Sequence, residues 1–201
     1  MRDERDSRSE DRAEDAAPGR VGGVSWRDRL VGAALVFMVL AAQTRWMGPA
    51  IVLLSGGLVL AYCVWAAAPW KNDASSVLPV YLIAVAVQCL HFTEEFVTGF
   101  QHKFPRLFGE DWSDARFVIF NLLWLAAFVL AGLGVYRRIS LAFLIVFFLS
   151  LIGGVGNGSS HLVLSAMHRG YYPGLLTAPF CLVMGVVVLH RLFAGRRLSG
   201  R

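Results

Sequence analysis

Long apolar segments dominate this chain and predict its architecture. They cover about residues 29–44, 48–68, 77–100, 115–136, 139–166 and 173–193, with short polar connections between them. An α-helix needs about 20 residues to cross ~30 Å of hydrocarbon. The segments also lack the alternation of polar and apolar residues that membrane β-strands show. The pattern therefore predicts an all-α fold, a polytopic transmembrane helical bundle of about six spans. It has five spans if the short first segment does not cross.

Polar stretches outside these segments divide the chain into four parts. Charged residues alternate densely near the N-terminus, which is typical of a disordered tail. We expect a disordered tail at residues 1–25, a helical hairpin of two spans at 26–70, a four-helix membrane core at 77–193 and a basic tail at 194–201. Trp46 and Trp70 flank the second apolar segment, so we interpret both as anchors at the membrane interface.

Composition supports the membrane class and argues against a nucleic-acid partner. Hydrophobic residues make up 56% of the chain and charged residues 16%, and the mean hydropathy is +0.56. The net charge is +5, but much of the excess lies at the ends of apolar segments, as in Arg137 and Arg138. Anchoring and topology account for this placement. The lipid bilayer is the expected partner.

The positions of the basic residues also predict an orientation. With both termini in the cytoplasm, 14 of the 19 Lys and Arg residues lie on the cytoplasmic side. The positive-inside rule then predicts a multi-pass protein of the cell (plasma) membrane with a cytoplasmic N-terminus and C-terminus. The loop at residues 101–114 and the turn at Arg169 face the opposite side.

The third apolar segment contains the motif His91-Phe92-Thr93-Glu94-Glu95. Every other acidic residue lies in the N-terminal tail or in a loop. An ionisable residue inside a membrane span costs several kcal/mol, so it usually faces the bundle interior and has a function. On a helix, Glu94 (i+3) and Glu95 (i+4) flank the direction of His91, and Gln88 joins the same face one turn earlier.

Polar residues of three other segments are predicted at the same depth in the outer leaflet. They are Asn121 in the fourth segment, Asn157 and His161 in the fifth and Thr177 in the sixth. Asn157 and His161 share a helix face if the helix continues through the glycines at 153, 154, 156 and 158. Those glycines either permit close approach of a neighbouring helix or break the helix beside a cavity. The sequence leaves both alternatives open.

This set of residues is typical of a metal site. We predict a divalent transition metal, Zn²⁺, Fe²⁺ or Mn²⁺, with His91, Glu94, Glu95 and His161 as ligands. Gln88, Asn121, Asn157 and Thr177 would support it. Two adjacent carboxylates in a medium of low dielectric require a cation or a proton. The alternative is therefore a metal-free network in which His161 holds one glutamate and a proton is shared.

The chain resembles the HXXEE-motif integral membrane proteins, a bacterial family of unknown function. The resemblance rests on His91 to Glu95, on Asn157 and His161 within Gly-Asn-Gly-Ser-Ser-His, and on Arg-Gly-Tyr-Tyr-Pro-Gly at 169–174 followed by Thr177. It covers about residues 77–192. It implies that the histidines and glutamates form one site, and it implies no substrate.

The function that these features favour is enzymatic. We expect a metal-dependent, hydrolase-like membrane enzyme that acts on a lipid or membrane-borne substrate, with Glu95 and Glu94 as catalytic residues. A metal-ion or proton transporter element is the first alternative, but the polar groups are predicted at one side of the membrane only. A non-catalytic membrane subunit is the second alternative.

Overall fold

The computed structural model of this protein describes residues 24–194. Apart from Val24, Ser25 and Ala194, the two predicted tails lie outside this range. Within it the fold is all-α, and five helical segments are long and apolar enough to cross a membrane. The predicted polytopic helical bundle is thus confirmed. Its main helices are α1 (Trp26–Met47), α2 (Val52–Ala67), α3 (Ala74–Thr98), α4 (Asp114–Tyr136), α5 (Ser140–Met167) and the shorter α6 (Ala178–Ala194).

Helix α1 is longer than the apolar pattern predicts. It has 22 residues, and the Ser25 hydroxyl caps its first turn by accepting from the Asp28 N–H at 3.1 Å. Arg29 and Arg45 lie inside the helix near its two ends, where long basic side chains can extend to the membrane boundary. They therefore do not end the helix, and α1 is long enough to cross a membrane.

Hydrogen bonds between connections define the two ends of the bundle. At one end, Trp112 Nε1 donates to the Met47 carbonyl at 2.8 Å, and Phe100 packs on Tyr172 at 6.3 Å between ring centroids. We call this the loop end; it contains residues 47–51, 99–113 and 168–177. At the other end, the Lys71 N–H donates to the Leu192 carbonyl at 2.9 Å. We call this the terminal end.

Trp70 does not anchor the protein at the membrane interface, contrary to the prediction. It is only 2% exposed, and its Nε1 donates to the Trp65 carbonyl at 2.8 Å. Its ring stacks on Phe143 with 4.7 Å between centroids. The connection after α2 folds back over the terminal end and buries the indole. Trp46, the other predicted anchor, is 38% exposed.

The glycines of α5 allow close packing and do not break the helix. Leu149–Gly156 forms a π-helical segment, and α-helix resumes at Asn157–Met167. A Cβ atom built on Gly154 would lie 2.5 Å from the Cα of Gly185 in α6. Of the two alternatives, close approach of a neighbouring helix is therefore the one observed, and Asn157 and His161 share a face.

Helix α6 begins at Ala178 and not near residue 173 as expected. Residues 168–177 form turns, with Gly174 at a φ of 88°. A Cβ atom on Gly174 would lie 2.5 Å from Cε1 of His161, so its backbone packs directly against that ring. The turns bring the N–H groups of Leu176 and Thr177, at the amino end of α6, next to α3.

Candidate metal centre

Helices α3 and α5 bring two histidines and one glutamate together at the loop end of the bundle. His91 and His161 have no exposed surface, and Glu95 is 4% exposed. Glu95 Oε1 lies 3.0 Å from Nε2 of His161 and 3.4 Å from Nε2 of His91. The candidate ligand atoms of the three residues lie within 4.8 Å of one another. We call these three residues the buried cluster.

Thr177 determines which ring nitrogen of His91 carries the hydrogen. Its hydroxyl donates to a carboxylate oxygen of Glu94 and lies 2.7 Å from His91 Nδ1. Because a carboxylate can only accept, the hydroxyl hydrogen points to Glu94, and the hydroxyl oxygen accepts from Nδ1–H. In the neutral imidazole, Nε2 then keeps its lone pair, and Nε2 is the nitrogen that faces Glu95.

Glu94 lies outside the buried cluster. Its carboxylate accepts from the Tyr171 hydroxyl at 2.7 Å, the Leu176 N–H at 2.9 Å, the Thr177 N–H at 2.8 Å and the Thr177 hydroxyl. The two N–H groups belong to the amino end of α6, where the helix dipole stabilises an anion. Burial and the bond to Glu94 raise the pKa of Tyr171, so its hydroxyl keeps the hydrogen that it donates.

The need for a compensating cation therefore concerns Glu95 alone. Among residues 24–194, its ion pairs are with His91 and His161. Both ring nitrogens of His161 are buried without an aligned hydrogen-bond partner, and Nε2 lies in ion-pair contact with Glu95 Oε1 at 3.0 Å. Buried polar atoms without a partner are rare in proteins. A metal ion beside Nε2 would satisfy both this nitrogen and the carboxylate.

The spacing within the cluster fits a metal ion. Metal–ligand bonds of ~2.0–2.2 Å in tetrahedral geometry separate neighbouring ligand atoms by about 3.3–3.6 Å. The observed separations from Glu95 Oε1 are 3.0 and 3.4 Å. Two histidines and one glutamate are a ligand set of catalytic zinc sites, which leave one position to water or substrate. Fe²⁺ and Mn²⁺ accept the same donor types.

The four residues predicted to support the site take different positions. Asn157 Nδ2 lies 2.8 Å from His91 Nε2, and the Thr177 hydroxyl bridges His91 to Glu94. Asn121 donates to the Phe117 carbonyl of its own helix at 3.1 Å. Gln88, Asn121 and Asn157 line a cavity that reaches Glu95.

This cavity has a volume of about 60 Å³, which is room for a few water molecules. Its remaining wall is mostly aromatic, with Trp112 from the 99–113 loop and Trp124 from α4 among the contributors. Phe100 also covers His161, with 5.3 Å between ring centroids. Neither this aromatic wall nor the contact of Tyr171 with Glu94 was predicted from the sequence. Tyr171 lies in the Arg-Gly-Tyr-Tyr-Pro-Gly stretch at residues 169–174. That stretch is the feature of the sequence that could have pointed to its role.

Fold and site together define a polytopic helical membrane protein with a buried cluster of two histidines and a carboxylate. The chain belongs to the HXXEE family, described as proteins of unknown function with an HXXEE motif; the family model matches residues 82–189, more than half of the chain. No curated protein and no solved structure matches it.

Proposed function

We propose that this protein is a metal-dependent membrane hydrolase whose metal is held by His91, Glu95 and His161. The observation that carries the proposal is the buried cluster itself, in which Glu95 Oε1 lies 3.0 Å from His161 Nε2 and 3.4 Å from His91 Nε2. A bound divalent metal would lower the pKa of a water ligand and polarise a substrate carbonyl. The cavity beside Glu95 is where that water and the reacting bond would lie.

The surrounding side chains support distinct roles. Glu95 is the glutamate of the motif that lines the cavity, so we assign it as a ligand whose second oxygen accepts a proton from water. We assign Glu94 and Thr177 the role of orienting His91. This role differs from the catalytic and ligand roles that the sequence predicted for Glu94. Asn157 would turn away from His91 Nε2 on metal binding. Its amide could then donate to a negatively charged oxygen in the cavity.

A hydrolase agrees better with the packing than a transporter does. Transport requires alternating access from both sides of the membrane, and the cavity of the cluster lies at the loop end. Toward the terminal end, α5 and α6 are in backbone contact at Gly154 and Gly185. Trp70 and Phe143 stack there as well. In residues 24–194, this packing favours a site with access from one side.

The proposal includes an orientation. We place the protein in the cell membrane with the loop end outside and both termini in the cytoplasm, because 14 of the 19 basic residues then lie inside. The cluster is then in the outer leaflet, and its substrate is a lipid or another membrane-borne molecule.

Elemental analysis of the purified protein tests the metal. We expect about one equivalent of Zn, Fe or Mn in the wild type. In Glu95→Gln and in His161→Ala the metal content should fall about 10-fold or more, because each change removes a metal ligand. Glu110→Gln and His190→Ala are matched controls outside the cluster and should retain metal. Lipid-ester hydrolysis in vesicles should fall with metal content.

Low metal content in the wild type would contradict the proposed metal site. A wild-type protein from metal-replete medium with far less than one equivalent of any transition metal would contradict the proposal. If Glu95→Gln also left the thermal stability unchanged, the carboxylate would not need a cation. The proton-sharing network would then account for the cluster.

A further inference from the structure

Helices α1 and α4 leave a groove between them at the loop end. Their backbones make almost no contact, whereas α3 and α4 pack closely. The groove has a volume of about 250 Å³. It is lined by Ala42, Gln43 and Trp46 of α1 and by Leu123, Trp124 and Ala127 of α4, among others.

The groove lies next to the cavity of the buried cluster and shares part of its lining. Gln43, Phe120 and Trp124 line both spaces, and the far wall of the cavity contains Glu95. At the outer side of the groove, Leu123 is 61% exposed. Because both helices are apolar and long enough to cross a membrane, the medium at this opening is the hydrocarbon of the bilayer.

The lining of this passage indicates what it can hold. Gln43 is the polar side chain of the groove, and the other residues that line it are apolar. Polar groups become frequent only deeper, where Gln88, Asn121 and Glu95 line the cavity. A matching molecule has a long apolar chain that ends in a polar linkage. A chain that moves from lipid into the groove gains little from the hydrophobic effect, so the shape of the aromatic walls decides what fits.

A second groove lies between α3 and α4 and has a similar volume, about 250 Å³. It borders the cavity through Phe92, Phe117 and Asn121. However, α3 and α4 pack directly against each other, which leaves less room for an acyl chain to pass between them. The passage between α1 and α4 has no such contact across it.

We infer that the substrate is a membrane lipid, one acyl chain of which lies in the groove between α1 and α4 with its ester next to Glu95. This inference rests on the proposed hydrolase and specifies its substrate class and its route of access. Water from the cavity would add across the ester bond, so that the acyl group leaves as a carboxylic acid and the remainder of the lipid as an alcohol.

Photolabelling from within the bilayer tests the inference. The protein is placed in phosphatidylcholine vesicles that contain some phosphatidylcholine with a diazirine on its acyl chain, and the labelled residues are mapped by mass spectrometry. Phe120 and Trp124 are each only 9% exposed, so label on them reports a chain inside the passage and not the surrounding lipid. We expect both to be labelled in the wild type.

Three substitutions distinguish binding in the groove between α1 and α4 from binding elsewhere on the surface. Ala42→Trp should fill the groove and reduce label on Phe120 and Trp124 about tenfold, because the indole would occupy the volume that the acyl chain needs. Ala41→Trp changes an exposed neighbour on the same helix and should leave the label unchanged. Val118→Trp, which fills the second groove, should do the same.

Metal analysis of the same samples keeps the two proposals distinguishable. Ala42→Trp that loses label but retains metal and wild-type thermal stability supports the passage. Wild-type protein that binds metal but has no label on Phe120 and Trp124 overturns the passage and leaves the metal site standing. Label that is lost in Val118→Trp and retained in Ala42→Trp also overturns it. Label on Phe120 and Trp124 in a wild-type protein that contains no metal overturns the proposed hydrolase but leaves the groove as a binding site for a lipid chain.

Discussion

Replacing Thr177 by valine would remove one hydroxyl from the site with little change in side-chain shape. That hydroxyl accepts from His91 Nδ1 at 2.7 Å and donates to Glu94. In Thr177→Val, the Nδ1–H of a fully buried histidine therefore loses its acceptor. The hydrogen is then free to occupy either nitrogen, and Nε2 no longer reliably presents a lone pair to the metal.

The expected losses of folding stability and of metal affinity in Thr177→Val both follow from the burial of His91. A buried donor without a partner costs about 1–3 kcal/mol of folding free energy. Loss of the group that orients a metal-bound histidine lowers metal affinity by about 10–100-fold, which equals about 1.4–2.8 kcal/mol of binding free energy. We therefore expect Thr177→Val to remain folded, with a lower melting temperature and a weaker metal site.

Competition with a chromophoric chelator measures the metal affinity directly, and tryptophan fluorescence on heating measures the stability. Thr177→Ser keeps the hydroxyl and should restore most of the affinity. Thr93→Val is the matched control, because the Thr93 hydroxyl donates to the Cys89 carbonyl of its own helix at 2.9 Å. Wild-type affinity in Thr177→Val, or an equal loss in Thr93→Val, would refute the role assigned to Thr177.

Two further predictions concern the orientation and the packing of the bundle. Cysteines introduced at Lys103 and Arg169 should react with impermeant thiol reagents in intact cells, while one at Arg137 should be protected; the reverse pattern would invert the topology. Gly185→Ala should lower thermal stability by about 1–3 kcal/mol or more, since overpacking forces backbone shifts and its Cβ would lie 2.6–2.9 Å from backbone atoms of α5. Gly56→Ala, whose Cβ would meet nothing within 4 Å, is the control, and an equal loss there would contradict this reason.

The helical architecture could be predicted because a bilayer leaves few alternatives. Backbone groups in hydrocarbon must be satisfied within a segment or a closed barrel, so apolar segments about 20 residues long predict helices. Helix ends were less predictable. Local capping extends α1 to Trp26, and α6 begins only at Ala178 because the preceding turns pack against His161 and bind Glu94.

The candidate site could be predicted in its members but not in its geometry. His91, Glu94, Glu95 and His161 attract attention because ionisable groups inside apolar segments are costly. Glu94 and Glu95 flank His91 on either side, so helical spacing alone cannot tell which one joins it. The choice depends on where the amino end of α6 lies, and that end binds Glu94.

The sequence alone predicted a helical membrane protein with His91, Glu94, Glu95 and His161 in one candidate site. Both conclusions follow from local chemistry, because the transfer cost of each side chain into lipid does not depend on its distant neighbours. Only the tertiary structure showed that Glu94 binds the amino end of α6, that Trp70 is buried and that a groove lies between α1 and α4. These features depend on which helices pack together and at what distance, and residues far apart in the chain decide that jointly.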